Sequence, residues 1–254
     1  MKRKIFYAVA LVVIVVIAAS FYFKPEKDKT SMNDSGFVVA ELFTSEGCSS
    51  CPAADALLAK LSEAYEGKFI ALAFHVDYWN RLGWADAFST ADFTKRQQNY
   101  SRFFKLNSVY TPQVIINGKA EMVGSNESRI RNVITQELKN KMPQSITLST
   151  KSPDDKTVNV TYNIEQPVNS LLQVALVQKH AETSVKRGEN AGRTLNHINV
   201  VRDFKTLNIN SKQINGSLNL TIPDGLSPKE CNIIAYLQDA DDMHITAATE
   251  LSLK

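Results

Sequence analysis

The stretch FTSEGCSSCPAADALLAKL, residues 43–61, sets Cys48 and Cys51 two residues apart at the head of a helical pattern. Apolar residues recur at helical spacing through Leu57, Leu58, Leu61 and Tyr65, while FVVAELF (37–43) just before has the composition of a buried strand. The chain therefore leaves a strand, turns through both cysteines and enters a helix. Its only other cysteine is Cys231. A pair so placed admits three readings: a redox couple, half of a metal site, or a structural staple.

Working outward, FIALAFHV (69–76) predicts a second strand and ADFTKRQQNYSRFFKL (91–106) a second helix, with the aromatic-rich DYWNRLGWADAFST between them. PQVIINGKAEMVG (112–124) reads as two strands joined by the turn dipeptide Asn117-Gly118. NESRIRNVITQELKN predicts a last amphipathic helix, capped by Ser125 or Asn126. The order β-α-β-α-β-β-α is an α/β layer architecture over residues 37–142. Past Met142-Pro143 the character changes. SITLS, TVNVTYNI, LLQVALVQ, INVVRDF, SLNLTI, CNIIAYLQ and ITAATEL are short β runs without helical periodicity, which predicts a smaller antiparallel, sandwich-like β domain over residues 145–254. The boundary falls near Lys141 to Gln144.

The N-terminus supplies an address. MKRK precedes IFYAVALVVIVVIAASFYF, nineteen residues from Ile5 to Phe23 without a charge, long enough to cross a hydrocarbon core of about 30 Å as a helix. Residues 1–23 read as a membrane anchor or a cleaved signal peptide, with the apolar length favouring the anchor, and the polar residues 24–36 as a tether. Basic residues before the apolar run place the remainder outside the cytoplasm, on the periplasmic side, anchored or secreted, where a cysteine pair can be oxidised. Of 29 lysines and arginines, three lie in the first four residues, leaving 26 against 26 acidic residues. The folded part is thus neutral, and nothing points to nucleic acid as a partner.

Strand, CxxC, helix, strand, helix, then Thr111-Pro112 before a hairpin and a last helix resembles the thioredoxin fold. The resemblance implies that Cys48, at a helix N-terminus, is a thiolate nucleophile with a lowered pKa and that Cys51 resolves the mixed disulfide. Pro52 suits the first helical turn, where a missing N–H costs little. By the same resemblance Pro112 is cis and faces the cysteines, Thr111 offers backbone groups to a bound peptide, and Glu41 is a buried acid relaying protons to Cys51. The residues between the cysteines depart from thioredoxin: Ser49 and Ser50 can donate O–H and N–H groups to a thiolate but bring no charge. Trp79, in the aromatic loop, either shapes a substrate cleft or covers the sheet. Together ELFTSEGCSSCPAAD, FHVDYW, TPQVIING and RGENAGRTLNHINVVR are similar to a family of secreted, thioredoxin-like proteins catalogued as domain of unknown function 1223, across roughly Val38 to Glu250. That implies a fold and a compartment.

The function expected is disulfide exchange with exported protein thiols or disulfides, reset by a redox partner and needing no cofactor. Two alternatives stay open. One is Cu(I) transport through Cys48, Cys51 and His75; the other is a binding module whose CxxC is a permanent disulfide. A closed zinc site lacks ligands, since His180, His197 and His244 are scattered through the β part and Cys231 reads as a small buried hydrophobe. Glu46 reads as a loop carboxylate. VKRGENAGRTLNH, including the 187–197 loop, admits two readings, a solvated hairpin connection or a cover folded over the cysteine face, with the first favoured.

Overall fold

The computed structural model describes residues 29–30, 36–141, 144–154, 156–165, 169–209 and 214–254. The 1–23 segment, read as anchor or signal peptide, lies outside the described residues, as does most of the 24–36 tether. Among the described residues no helix is long and apolar enough to cross a membrane.

The described residues form a mixed α/β structure with a large sheet and three α-helices. After β1 (Lys29–Thr30), the chain runs through β2 (Val38–Thr44), α1 (Cys51–Ala64), β3 (Phe69–His75), α2 (Ala91–Phe103), β4 (Gln113–Ile116), β5 (Ala120–Val123) and α3 (Glu127–Glu137). Then come β6 (Ser145–Asp154), β7 (Thr157–Glu165), β8 (Ser170–Ser184), β9 (Thr194–Ile209), β10 (Asn215–Thr221), β11 (Cys231–Asp239) and β12 (Ile245–Ser252). All seven β runs read after Met142 form strands, and Asn126, one of the two expected caps, is in place. The Thr90 side chain accepts from the Phe93 N–H to open α2, and Asn126 accepts from Arg129 to open α3.

The large sheet has the order β12-β11-β8-β9-β3-β2-β4-β5. Strand β2 is parallel to β3 and antiparallel to β4, while β9 runs parallel to β3 and meets it at Ala73 and Val200. The sheet therefore passes straight across the chain boundary near residues 141–144. A second sheet of order β1-β6-β7-β10 packs on the β8-β11-β12 half, burying Leu148, Val160 and Tyr162 against Val174, Leu176 and Ile233. This is the sandwich-like arrangement expected of the C-terminal part, but one of its two layers belongs to the same sheet as β2 and β3.

Alternation along β2 assigns the two faces. Val38, Ala40 and Leu42 face α1 and α3, meeting Leu57, Leu58, Leu61, Ile130 and Ile134. Val39 and Phe43 face α2, meeting Phe93 and Tyr100 together with Val177 of β8 and Tyr236 of β11. Each such fully buried aliphatic or aromatic side chain contributes about 1.5–3 kcal/mol relative to exposure.

The β4–β5 turn locks this frame. Asn117 and Gly118 have φ of 46° and 71°, the paired left-handed residues of a type I′ hairpin turn. Asn117 is fully buried: its Oδ1 accepts the Val39 N–H at 2.7 Å, and its Nδ2 donates to the Phe37 carbonyl at 3.1 Å and to Glu137 at 2.9 Å. A Cβ at position 118 would lie 1.8 Å from the Met243 carbonyl oxygen, so only glycine fits.

Candidate functional site

Strand β2 ends at Thr44, and the chain turns through Ser45–Ser50 before α1 opens at Cys51 with Pro52 in its first turn. Cys48 caps that turn: its carbonyl accepts the Cys51 N–H at 3.2 Å. Its Sγ lies 3.3 Å from Ser50 Oγ and 3.9 Å from the Thr111 carbonyl oxygen. The Thr111–Pro112 bond is cis. Trp79 reaches in from the aromatic loop, its Nε1 donating to Thr111 Oγ1 at 2.8 Å, and its Cβ lies so near Gly47 that a side chain there would be crowded. The sequence-read residues Cys48, Cys51, Ser50, Trp79, Thr111 and Pro112 thus gather at one end of the sheet.

The two thiols are driven apart. A hydrogen bond from Cys51, helped by Ser50 and Thr111, outweighs burial and lowers Cys48 to about 6. Burial first, and then the Cys48 thiolate, push the Cys51 thiol well above the ordinary range. One sulfur is therefore a ready nucleophile near neutral pH and the other is held protonated. Ser50 plays the donor part read from the sequence; the Ser49 N–H instead donates to Glu189 Oε2 at 3.0 Å.

Glu41 does not stand beside the cysteines. It alternates onto the α2 face of β2, where Arg96 Nε and Nη2 donate to its two oxygens at 2.5 and 2.9 Å and the Tyr100 hydroxyl donates at 2.6 Å. Arg96 lies over the rings of Phe74, Tyr100, Phe204 and Tyr236, and its guanidinium is held charged above its ordinary value because the neighbouring Glu41 outweighs burial. The proton-relay role is corrected accordingly: Glu41 is half of a buried ion pair on the other side of the sheet from α1.

The acid near Cys51 is Asp55, one helical turn along α1 and on the same face. It is buried and accepts from Thr44 Oγ1 at 3.4 Å. Behind it stands His197 of β9, with Nδ1 3.4 Å from Asp55 and Nε2 3.7 Å from Glu46. Burial opposes a charge there, but the two carboxylates prevail and raise His197 to about 9. Glu46 is buried rather than a solvated loop carboxylate, its Oε2 accepting from Trp84 Nε1 at 2.7 Å.

His75 is buried too, and its Nδ1 pairs with Asp86 at 2.7 Å while its ring packs edge-on against His197 at 4.9 Å. Against its own burial, His75 and the N–H groups of Glu46 and Phe88 hold the Asp86 carboxyl below its ordinary range. Among the described residues no group of three or more His, Cys, Asp or Glu is arranged to hold a metal ion. Cys231 is buried at the start of β11, its Sγ 3.5 Å from the Ser227 carbonyl, and burial pushes its thiol up to about 11.

The 185–193 loop is exposed along most of its length, yet it is anchored on the cysteine turn. Asn190 is fully buried and its Nδ2 donates to the carbonyls of Glu46 and Cys48 at 2.8 and 2.9 Å. Sequence reasoning passed over Asp55 and the role of His197, and named the loop of Glu189 and Asn190 without assigning their contacts. A carboxylate on the buried stripe of an apolar helix was the one available signal for Asp55. His197 comes from β9, far beyond Asp55 in the chain, where no local pattern marks it, while the glycines of the 187–197 loop were that loop's one visible signal.

A family model described as "Protein of unknown function (DUF1223)" matches residues 39–238. No curated protein matches the sequence. Among solved structures, a crystal structure of an Agrobacterium tumefaciens protein is 28% identical, with a TM-score of 0.61 over 84% of this chain and 93% of its own. HBP35 of Porphyromonas gingivalis is 16% identical, with a TM-score of 0.54 over 86% of this chain and 76% of its own, a likeness of fold alone.

Proposed function

Since this chain belongs to the DUF1223 family, whose description assigns no activity, we propose its function from the site itself: a thiol–disulfide oxidoreductase working through Cys48 and Cys51 in a thioredoxin-like setting. The observation that carries the reading is the asymmetric pair. Cys48 Sγ sits between Ser50 Oγ and the Thr111 carbonyl at the N-terminal end of α1, and Cys51 is sealed behind it.

In the reducing direction the Cys48 thiolate attacks a sulfur of the substrate disulfide, forming a Cys48–substrate bond and releasing the first substrate thiolate. Cys51 then attacks Cys48 Sγ. The Cys48–Cys51 bond forms, the second substrate thiolate leaves, and the substrate has gained two electrons that the pair has lost. Cys51 gives up its proton as it attacks, and Asp55, the buried acid one helical turn along α1, is placed to take it. A dithiol or disulfide partner restores the pair. The charged, then apolar N-terminal segment (residues 1–23) supports an extracytoplasmic, anchored or secreted protein whose substrates are exported thiols or disulfides.

Equilibrating the full-length protein in graded glutathione buffers and counting free thiols by alkylation and mass tests this reading. A potential between about −120 and −270 mV fits an exchange enzyme, whereas a pair still oxidised below about −300 mV is a structural disulfide and ends the proposal. Cys48→Ser abolishes exchange, and Cys51→Ser accumulates mixed disulfides.

A further inference from the structure

We infer that the 185–193 loop is a hinged roof on the cysteine turn, so that access to Cys48 is governed by Glu189 and Asn190 from the C-terminal part of the chain. This rests on Cys48 being the attacking thiol of the site above, and it concerns how that thiol is reached.

Cys48 is 1% exposed although Ser49 and Ser50, its neighbours toward α1, are both exposed. A substrate disulfide must approach the sulfur along its own S–S axis, so something over the turn has to move before attack. The loop is built for that. Its base is tied as a continuation of the β8–β9 hairpin: the Val185 N–H donates to the Arg193 carbonyl and the Gly192 N–H to the Val185 carbonyl, both at 2.9 Å. Its tip is held by side chains. Glu189 takes the Ser49 N–H at 3.0 Å, and Asn190 donates to the carbonyls of Glu46 and Cys48. Arg193 Nη1 donates to Asn190 Oδ1 at 2.9 Å and fixes the amide's orientation.

Gly188 and Gly192, with φ of 78° and 80°, bracket the Glu189–Ala191 tip, so the points where it would swing are the residues that tolerate large dihedral changes. Gly188 lies against Trp84 closely enough that a Cβ would come within 3.2 Å of the Trp84 Cβ, which seats the closed position. Opening breaks three hydrogen bonds and frees backbone groups of Ser49 and Cys48 to meet a substrate.

The test follows alkylation of reduced full-length protein at each cysteine by mass, from pH 5 to 9, with iodoacetamide and with a polyethylene-glycol maleimide too bulky for a closed site. Asn190→Ala removes two buried hydrogen bonds, so the bulky reagent reaches Cys48 about ten-fold faster. The iodoacetamide midpoint stays where it was and Cys231 stays unlabelled. If Cys231 labels as well, the variant has loosened the fold and Glu189→Gln decides. That substitution keeps the volume and weakens only the bond to Ser49; a roughly three-fold rise at Cys48 with Cys231 protected supports the roof. Unchanged bulky-reagent rates in a folded variant overturn the inference, as does a shift in the iodoacetamide midpoint without any change in access. A glutathione potential in the structural range ends the exchange reading but leaves this result standing, because the labelling rates report only access to the sulfur.

Discussion

At the scale of single residues, Cys48 and His197 pull stability in opposite directions with pH. Cys48 is lowered to about 6, so in the reduced protein its contribution is complete above the unfolded thiol range and lost as pH falls through 6. His197 is raised to about 9, so its contribution is complete below the ordinary histidine value and lost as pH rises through 9. Between these limits the two offset each other. Cys48→Ser removes the rising component, so the variant's urea midpoint under reducing conditions falls more steeply from pH 6.5 to 9 than that of the wild type; parallel curves refute the assignment. Glu41→Gln is expected to cost about 3 kcal/mol, because it leaves Arg96 buried without its anion. Its Cys48 alkylation profile stays unchanged, and a shifted profile restores Glu41 to the cysteine site. The cysteines, Pro112 and Trp79 were legible because they lie in short motifs. Glu41 was misplaced because position along a strand gives no face until its neighbours do: Ala40 and Leu42 turn to α1, and Glu41 between them turns away.

At the scale of elements, the β4–β5 turn does more than reverse the chain. Asn117 ties the turn to the backbone at Phe37 and Val39 and to Glu137 at the end of α3, while Gly118 admits the Met243 carbonyl of the segment before β12. Gly118→Ala meets both a left-handed φ and a backbone oxygen, and a loss of about 2–3 kcal/mol in urea unfolding is expected. A loss below 0.5 kcal/mol would mean that the β11–β12 connection yields easily. Helices and strands were readable from period and turn chemistry, including Asn117-Gly118 and the Asn126 cap. Pairing was not. β9 enters the ladder beside β3 at Ala73 and Val200, and strand patterning names a buried face but never the neighbour across the edge.

At the scale of the whole molecule, the helical part and the β part share a sheet and a core. The α2-facing cluster takes Phe43 and Phe74 from one and Ala175, Val177, Ile234 and Tyr236 from the other. A fragment ending at residue 142 exposes that face, leaves Asn190 and His197 behind, and is expected to give neither a cooperative melt nor a Cys48 alkylation midpoint near 6. A fragment that melts cooperatively with the low midpoint would show that the two parts fold separately. The same sharing has a consequence in time. Asn190 follows Cys48 by 142 residues, and synthesis at about 5–20 residues per second separates them by roughly seven to thirty seconds. For that interval the nascent chain carries its cysteine pair without the loop that later closes over it, so any helper that guards this pair against the wrong thiol has to act before the last quarter of the protein has been made.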